Sequence, residues 1–357
     1  MRVLHVSHNI LPDVRVEKVA ISLKKIGVKS FFAGGGVKGT SFGFSFFEKT
    51  YSLPFERRAN LGFRPWWSRL KKVFMKIIDD CQPDLVHAHN VIAAKLVLDL
   101  EIPFIYDDHE YWSKKCRYRI GFNPMHFYRW LVWRNWEEEV LRKALAVVTV
   151  SEEIAEEHRR LNPRTVVLPN MPMMMEVEGL KKIVDEKRRL SSVYVGSLST
   201  PQSPHRDARG FLELFRREDL GDLVVVGDEN LESKPPVYSL GFLRHDIMMR
   251  ELTKYHIGLI PWKRHPFHRY CNPNKAYEYA HAGLLVLTID DIFPVVNALK
   301  PYCETFGDYG ELATLLKYYR DSPEEAYEKG LKTMEYARKK LTWENYEKNL
   351  LKIYENL

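Results

Sequence analysis

The chain alternates between short apolar runs and longer segments in which apolar residues recur every three or four positions. Arg2 to Ser7 is an apolar, β-branched run, and a helical pattern follows over Val14 to Ile26 and ends at Gly27. The next apolar run is Val28 to Ala33. Such strand–helix–strand units predict an α/β fold with a parallel sheet. Further strands are predicted at 83–90, 103–108, 144–150, 192–195, 223–227, 237–241, 257–261 and 284–287.

Helical patterns and one irregular segment divide the chain into two domains. The 357 residues are enough for two full cores. Residues 1–170 form the first predicted domain, Met171 to Glu176 read as a linker stiffened by proline, and 171–341 form the second domain. A last helix is predicted from 342 to 357. Other helices are predicted around 181–190, 311–319 and 323–338.

The stretch from Tyr270 to Thr288 carries the most specific chemistry. Pro273 and Asn274 are residues that open helices, with Asn able to cap, and Gly283 ends the helix with a left-handed cap. Lys275 falls in the first turn, where backbone N–H groups favour an anion, and Glu278 follows on the same face. The pair suits a diphosphate and the two hydroxyls of a ribose. The alternative is an ordinary amphipathic helix with a surface Lys and Glu.

A glycine-containing basic loop follows the strand predicted at 192–195. It begins with Gly196 and Ser197 and contains Arg206 and Arg209 before Gly210. A strand, a glycine turn and a basic loop before a helix form a typical phosphate cradle.

Polar side chains also follow several strands of the first domain. His87, His89 and Asn90 end one strand, and 107–110 (Asp-Asp-His-Glu) end the next. Strand ends of this kind line the ligand crevice of open α/β sheets, although packed histidines are the alternative. The first loop adds Asp13 and Arg15, with a helix-capping acid as the structural alternative for Asp13. We expect no metal, because His-x-His has no third ligand at a suitable spacing and Asp107-Asp108 is not an Asp-x-Asp motif.

Charge is distributed unevenly between the two halves. The net charge is +7, and residues 1–170 hold 27 Lys and Arg against 19 Asp and Glu, which is +8. Segments 57–76 and 112–136 mix basic and aromatic residues and predict contact with an anionic membrane surface. Single-stranded nucleic acid is less favoured because no nucleic-acid motif accompanies them. A helix packed on its aromatic side with a solvated basic face is the third interpretation.

The N-terminus and the cysteines bear on location. Met1 to Ser7 runs directly into a strand and has no signal-peptide pattern, and no window is apolar enough to span a bilayer. The four cysteines, at 81, 116, 271 and 303, show no paired spacing. A cytoplasmic protein, peripheral on the inner face of the membrane, is the expectation.

Taken together, these motifs resemble those of the retaining glycosyltransferases of the two-Rossmann-domain (GT-B) fold, family four (group 1). The resemblance covers almost the whole chain. It rests on Pro-Asn-Lys, Glu-Tyr and Ala-Gly in 273–283, Pro-Asp-x-Arg-Val in 12–16, Asp-x-x-His-x-His in 84–89, Asp-x-His-Glu in 107–110, Val-Thr-Val-Ser in 148–151 and Leu-Gly-Phe-Leu in 240–243. Many members have a first Glu eight positions before Glu278; Tyr270 stands there, as in the branch without it.

The resemblance implies a function and roles for individual residues. It implies two facing domains with a cleft between them and a C-terminal helix that crosses back to the first domain. The second domain would hold a nucleoside-diphosphate sugar, and the first a hydroxyl acceptor such as a glycan or a lipid-linked sugar. Transfer would be metal-independent, without a cofactor, and would retain the configuration of the sugar.

The residue roles implied by the resemblance fall into three groups. The catalytic residues would be His109, Lys275 and Arg209. The donor residues would be Gly196, Ser197, Arg206, Arg209, Asn274, Lys275 and Glu278. The acceptor-side residues would be Asp13, Arg15, His87, His89, Asn90, Asp107 and Glu110.

Two other functions fit the same architecture. A sugar-nucleotide epimerase would carry out proton chemistry on the donor itself. A non-catalytic two-domain protein would bind a sugar or nucleotide without turnover.

Overall fold

The computed structural model describes residues 1–43, 45–55, 64–118, 124–186, 188–198 and 204–357. The chain divides into two compact units. Unit 1 comprises Met1–Pro169 and Tyr346–Leu357, and unit 2 comprises Asn170–Asn345. No helix of the described residues is long and apolar enough to cross a bilayer.

The described strands of unit 1 form one parallel sheet, which confirms the sheet type predicted from the sequence. Its order is β3-β2-β1-β4-β5-β6-β7, with β4 in the middle. The central strands β4 and β5 are buried at every position, as expected for strands covered by helices on both faces. The strands are Arg2–Leu11 (β1), Lys29–Val37 (β2), Phe47–Ser52 (β3), Leu85–His89 (β4), Phe104–Asp108 (β5), Ala146–Thr149 (β6) and Thr165–Val167 (β7).

The helices of unit 1 connect consecutive strands. Asp13 caps the first helix by accepting a hydrogen bond from the N–H of Val16 at 3.3 Å. The helices are Val14–Lys24 (α1), Arg64–Cys81 (α2), Asn90–Leu98 (α3), Trp112–Arg117 (α4), Pro124–Lys143 (α5) and Glu152–His158 (α6).

Helix α2 shows how the first basic aromatic segment packs. Its apolar side is buried, including Trp67 and Phe74, whereas Lys72 and Lys76 are exposed. Residues 64–76 therefore form a helix packed on its aromatic side with a solvated basic face. The remaining positions of that segment that carried the prediction, Arg57, Arg58 and Phe63, lie outside the described residues.

The described strands of unit 2 form a second parallel sheet, in the order β10-β9-β8-β11-β12-β13. They are Ser191–Val195 (β8), Asp222–Val226 (β9), Val237–Ser239 (β10), Ile257–Ile260 (β11), Leu285–Ile289 (β12) and Cys303–Phe306 (β13). The helices are Met174–Val177 (α7), Leu212–Arg217 (α8), His245–Leu252 (α9), Asn274–His281 (α10), Phe293–Leu299 (α11), Tyr309–Asp321 (α12) and Pro323–Lys340 (α13). A last helix, Trp343–Glu355 (α14), begins in unit 2 and belongs to unit 1 from Tyr346 onward.

One predicted helix, at residues 181–190, is wrong. The described residues of this segment are irregular. The N–H groups of Ile183 and Val184 both donate to the carbonyl of Thr253, at 3.0 and 3.2 Å, and the Lys182 ammonium donates to the carbonyl of Gly283 at 2.6 Å. These contacts with distant carbonyls override the local helical pattern.

Candidate active site

Helix α10 starts and stops where the sequence predicts. The N-cap is Pro273, whose side chain has no hydrogen-bonding group, and Asn274 is the first helical residue and is exposed. Gly283 ends the helix with φ at +79°. No side chain caps this turn. The N–H of Ala276 donates to the carbonyl of Pro273 at 3.2 Å, whereas no described residue accepts from the N–H groups of Asn274 and Lys275, which leaves these two for an anion.

Lys275 lies directly above a glycine of the neighbouring loop. A Cβ placed on Gly196 would be 3.0 Å from the Lys275 Nζ atom. That ammonium lies 4.2 Å from the ring centroid of Tyr194 and 5.3 Å from that of Trp262. In the described part of the chain, Lys275 has no hydrogen-bond acceptor and no carboxylate within ion-pair distance. The aromatic faces hold the cation without neutralising its charge.

The environment of Lys275 disfavours its charged form. Burial, together with the nearby charge of Arg206, lowers the pKa of Lys275 to about 7, and Glu278 opposes the shift. An anionic ligand would relieve this cost, because it would pair with the ammonium. A buried lysine with a lowered pKa is therefore a candidate binding residue for a negatively charged ligand.

The loop that carries Gly196 is held from both sides. Gly196 has φ at +118° and Gly227 has φ at +96°, so both adopt backbone conformations that favour glycine. A Cβ on Gly227 would be 3.4 Å from Gly196, which shows how closely the two loops approach. The Asp228 carboxylate accepts from the N–H of Leu198 at 3.0 Å, and the Tyr194 hydroxyl donates to the carbonyl of Ser197 at 3.0 Å. Residues 199–203 of the loop lie outside the described residues.

The two arginines of this loop occupy different environments. The Arg206 guanidinium lies 5.8 Å from the Trp262 ring centroid, and its charge acts on Lys275. Arg209 is exposed and forms an ion pair with Asp207 at 2.9 Å. The structure thus brings Arg206 to Lys275, whereas the resemblance implied a catalytic role for Arg209 and named both arginines as diphosphate ligands. Asp207, two residues before Arg209, holds its guanidinium at the surface.

Glu278 is fixed by a histidine from a neighbouring helix, α9. Its Oε1 atom lies 3.2 Å from Nε2 of His245, the first residue of α9. The side chain of Glu278 is 12% exposed, and no described residue bonds its Oε2 atom. One oxygen of this carboxylate is therefore held, and the other is available.

Phe242 and Tyr270, which belong to two other motifs of the second domain, differ in exposure. Phe242 is 73% exposed beside Gly241, whose carbonyl accepts from the N–H of Gly227 at 2.6 Å. Tyr270, in the position of the family's first Glu, is buried, and its ring centroid lies 6.1 Å from that of Phe267.

Unit 1 contains a second cluster of polar side chains, centred on Asp107 at the end of β5. The Arg15 guanidinium binds this carboxylate through Nη2 to Oδ1 at 2.7 Å and through Nε to both oxygens at 3.1 and 3.2 Å. Arg15 also donates to the carbonyl of Leu168 at 2.8 Å. Both side chains are buried, so this is a buried ion pair with most of its hydrogen-bonding capacity used.

Three histidines approach the Oδ2 atom of Asp107. Ring nitrogens of His87, His89 and His109 lie 3.4, 3.4 and 3.5 Å from it. His89 also contacts His109 at 3.0 Å and His5 at 3.2 Å, which makes a chain of imidazoles from the core to the partly exposed His109. The other nitrogen of His87 lies 2.6 Å from the Tyr354 hydroxyl.

Burial fixes the charge states in this cluster. Burial lowers the pKa of His5, His87 and His89, to about 3 for His89, so these rings are neutral at neutral pH. Burial alone would raise the pKa of Asp107, but Arg15 and His109 outweigh it and hold the pKa well below its usual range. The cluster therefore holds an anionic carboxylate beside the neutral rings of His5, His87 and His89.

The other predicted acceptor-side residues have local partners. Asp13 accepts from Asn9 at 3.0 Å in addition to capping α1. Asn90 accepts from the N–H of His109 at 3.3 Å and from the Trp112 ring at 3.2 Å. Glu110 forms an ion pair with Lys115. Of these residues, Asn90 is the one that directly supports the backbone of His109.

The cluster includes the third metal-ligand candidate that the sequence spacing did not reveal. His87, His89 and Asp107 offer ligand atoms within 4.8 Å of one another, because β4 and β5 pair His89 with Asp107. Such a set could bind a transition metal by its donor types. Arg15, however, already supplies Asp107 with a positive partner on both oxygens.

Four residues of these two sites were not predicted from the sequence: Tyr194, Trp262, His245 and His5. Tyr194 and Trp262 sit at or just beyond the ends of β8 and β11, so the rule that ligands bind at strand ends could have found them. No sequence signal pointed to His245 or His5, since each acts through a partner that is distant along the chain.

Two α/β units, each built on a parallel sheet, form the fold that is called GT-B in glycosyltransferases. Residues 22–171 match the model of the family described as Glycosyltransferase Family 4. The family match and the structural neighbours confirm the resemblance drawn from the motifs. No curated protein matches the sequence significantly.

Solved structures of the same fold span the whole chain. Sucrose-phosphate synthase from Thermosynechococcus elongatus has a TM-score of 0.72 at 13% identity, covering 99% of this chain and 98% of its own. HepE from Anabaena, in complex with UDP-glucose, has a TM-score of 0.68 at 12% identity and full coverage of both chains, 100% each. A protein assigned as a UDP-N-acetylglucosamine 2-epimerase from Listeria monocytogenes has a TM-score of 0.60 at 12% identity, covering 95% of this chain and 94% of its own. At these identities the similarity shows the fold.

Proposed function

We propose that this protein is a glycosyltransferase that moves a sugar, with retention, from a nucleoside-diphosphate sugar to a hydroxyl acceptor. The observation that carries the proposal is the ammonium of Lys275, placed over Gly196 at the N-terminus of α10 with no anionic partner in the described residues. A diphosphate supplies the missing charge. The complexes of HepE with UDP and UDP-glucose show that a protein of this fold binds such a donor.

In this proposal, unit 2 stabilises the leaving group. The bond between the anomeric carbon and the phosphate oxygen breaks, and Lys275, Arg206 and the N–H groups of α10 stabilise the negative charge that develops on the diphosphate. Two cations and a helix N-terminus supply the positive charge that balances the diphosphate, so the proposed step uses no metal ion. The acceptor hydroxyl forms the new bond on the same face of the sugar and gives its proton to the departing phosphate.

Unit 1 would act on the acceptor side. His109 is partly exposed, and its ring is oriented by His89 and Asp107, whose geometry is fixed by the ion pair with Arg15. We assign to His109 the positioning of the transferred sugar. The buried members of the cluster fix its ring, which is the support that a positioned side chain requires.

The first half of α5 favours an acceptor carried on a membrane. Met125, Phe127, Tyr128 and Leu131 are exposed there, and 124–136 contains basic residues but no acidic residue. Exposed apolar side chains beside arginines suit the interface of an anionic bilayer. Of the remaining segment, residues 119–123, with Arg119, lie outside the described residues.

Vesicle sedimentation tests the membrane contact. We expect the protein to sediment with phosphatidylserine-containing vesicles more than with phosphatidylcholine vesicles, and the double variant Phe127→Ser, Leu131→Ser to lose this preference. A double variant that kept the wild-type preference for phosphatidylserine vesicles would show that α5 does not contact the membrane.

Product analysis tests the reaction. The protein is incubated with UDP-, GDP- and ADP-sugars and a panel of glycosides and lipid-linked sugars, and the anomeric signals of product and donor are compared by proton NMR. We expect a new glycoside with the anomeric configuration of the donor. An inverted product would contradict retention.

The same assay distinguishes the two alternative functions. The structural similarity to an assigned epimerase favours a donor-only control. A new epimer formed from the donor without acceptor would support the epimerase, and donor binding without turnover on any acceptor would support a binding protein.

A further inference from the structure

The contact between His245 and Glu278 gives His245 a role within the donor site. Nε2 of His245 lies 3.2 Å from Oε1 of Glu278. A carboxylate only accepts hydrogen bonds, so the histidine must donate this one. The bond joins the first residue of α9 to the fifth residue of α10, which are far apart in the sequence but both belong to unit 2.

A second carboxylate lies on the other side of the same ring. Nδ1 of His245 is 3.8 Å from Oε1 of Glu176, a side chain that is 6% exposed. Glu176 is itself fixed, because its Oε2 atom accepts from the N–H of Met173 at 2.6 Å. The imidazole therefore lies between two largely buried carboxylates, which restricts the orientation of the ring.

One carboxylate oxygen of Glu278, Oε2, remains for a ligand. Oε1 is occupied by His245, and no residue in the described ranges bonds Oε2. A carboxylate held at one oxygen presents the other in a defined direction, and a preorganised acceptor of this kind loses less entropy when it binds a hydroxyl.

We propose that His245 is a positioning residue for nucleotide recognition: it fixes Glu278 so that its free oxygen accepts from the ribose hydroxyls of the donor. The inference rests on the proposed function, since it assumes that Glu278 faces the ribose. His245 and Glu278, which come from different helices, would together make the site specific for a ribonucleoside over a deoxyribonucleoside.

A ligand-truncation experiment tests the assignment. Dissociation constants are measured by calorimetry for UDP, GDP and ADP and for their 2′,3′-dideoxy counterparts, and the nucleotide that binds is used for the comparison. A hydrogen bond to a charged acceptor is worth roughly 10- to 100-fold in affinity, and the full-length wild-type protein should prefer the ribonucleotide by about this factor.

Three variants separate the role of His245 from that of Glu278. We expect His245→Leu to reduce the ribose preference by about tenfold while binding of the dideoxynucleotide changes little. His245→Gln, which keeps an amide N–H near the position of Nε2, should restore most of the preference. Glu278→Gln should abolish it. Circular dichroism of each variant confirms folding.

Three results would overturn the inference, and they differ in what else they overturn. If Glu278→Gln loses the preference but His245→Leu keeps it, Glu278 recognises the ribose unaided and the proposed donor site stands without His245. If the wild type binds a nucleotide but shows no ribose preference, the inference and the ribose role of Glu278 fail, whereas the diphosphate site at Lys275 stands. If the wild type binds no nucleotide, the inference and the proposed donor site fail together.

Discussion

At the scale of the single residue, the sequence predicted the position of Lys275 in its helix but not its surroundings. Its place in the first turn of a helix follows from the Pro-Asn-Lys pattern, and the structure confirms the helix. Its surroundings could not be predicted, because Tyr194, Trp262 and Arg206 come from other strands and loops. These neighbours decide that the ammonium is half-buried and unneutralised, which makes it a binding group rather than a surface charge.

The depressed pKa of Lys275 predicts that donor affinity depends on pH. In the free protein this pKa is about 7, so the ammonium is charged below that pH and increasingly neutral above it. The diphosphate of a nucleotide sugar keeps its charge across the neutral range and favours the protonated form. Affinity should therefore be greatest below pH 7 and fall by up to about tenfold per pH unit above it. Calorimetric titration with the donor at several pH values measures this.

The control for this prediction is Lys275→Arg. The guanidinium stays charged throughout this range, so the variant should bind the donor with little change in affinity between pH 6 and 9. A wild-type profile as flat as that of Lys275→Arg would mean that Lys275 does not bind the donor phosphates.

At the scale of the element, the strands were predicted well where both faces are buried and poorly at the edges. Apolar runs revealed β6, β11 and β12. The edge strands β3 and β13 were not predicted, since most of their residues are exposed or half-buried and no apolar run marks them. The wrong helix at 181–190 failed for a related reason: contacts with distant carbonyls, invisible to a local pattern, decide its conformation.

The turn after β8 makes an element-scale prediction. Gly196→Ala should destabilise the protein by about 1–2 kcal/mol because of its positive φ, and should weaken donor binding at least about tenfold because the new Cβ displaces the Lys275 ammonium. Thermal unfolding and calorimetry measure the two effects.

The matched control is Gly179→Ala. Gly179 has a similar positive φ, +76°, but a Cβ there would meet no atom within 4 Å. It should show the stability loss with normal donor affinity. If the two variants lose affinity equally, the contact between Gly196 and Lys275 is not what matters.

At the scale of the whole molecule, the last twelve residues complete the first unit rather than the second. In unit 1, Glu347 accepts from Ser22 at 2.8 Å, Asn349 donates to the carbonyl of Val167 at 3.1 Å, and Tyr354 is buried against His87. The chain order alone would assign these residues to the second unit. The resemblance to GT-B enzymes, not any local pattern, placed the C-terminal helix with the first domain.

This packing predicts a graded effect at Tyr354. Tyr354→Ala should lower the free energy of unfolding by about 3–5 kcal/mol, because it removes a buried aromatic ring. Tyr354→Phe removes only the hydroxyl next to His87 and should cost about 1 kcal/mol. Urea unfolding followed by circular dichroism measures both. An alanine variant as stable as the wild type would show that the C-terminal residues do not contribute to the unit 1 core.

The most direct test of the central claim is equilibrium binding of UDP-, GDP- and ADP-sugars to the wild type and to Lys275→Met. Methionine keeps the length and apolar character of the lysine stem but removes the charge. We predict that one nucleotide class binds the wild type, and that Lys275→Met weakens this binding about tenfold or more while its thermal stability in the absence of ligand is unchanged or higher. Equal affinity in the two proteins, or no binding of any nucleotide sugar, would contradict the account.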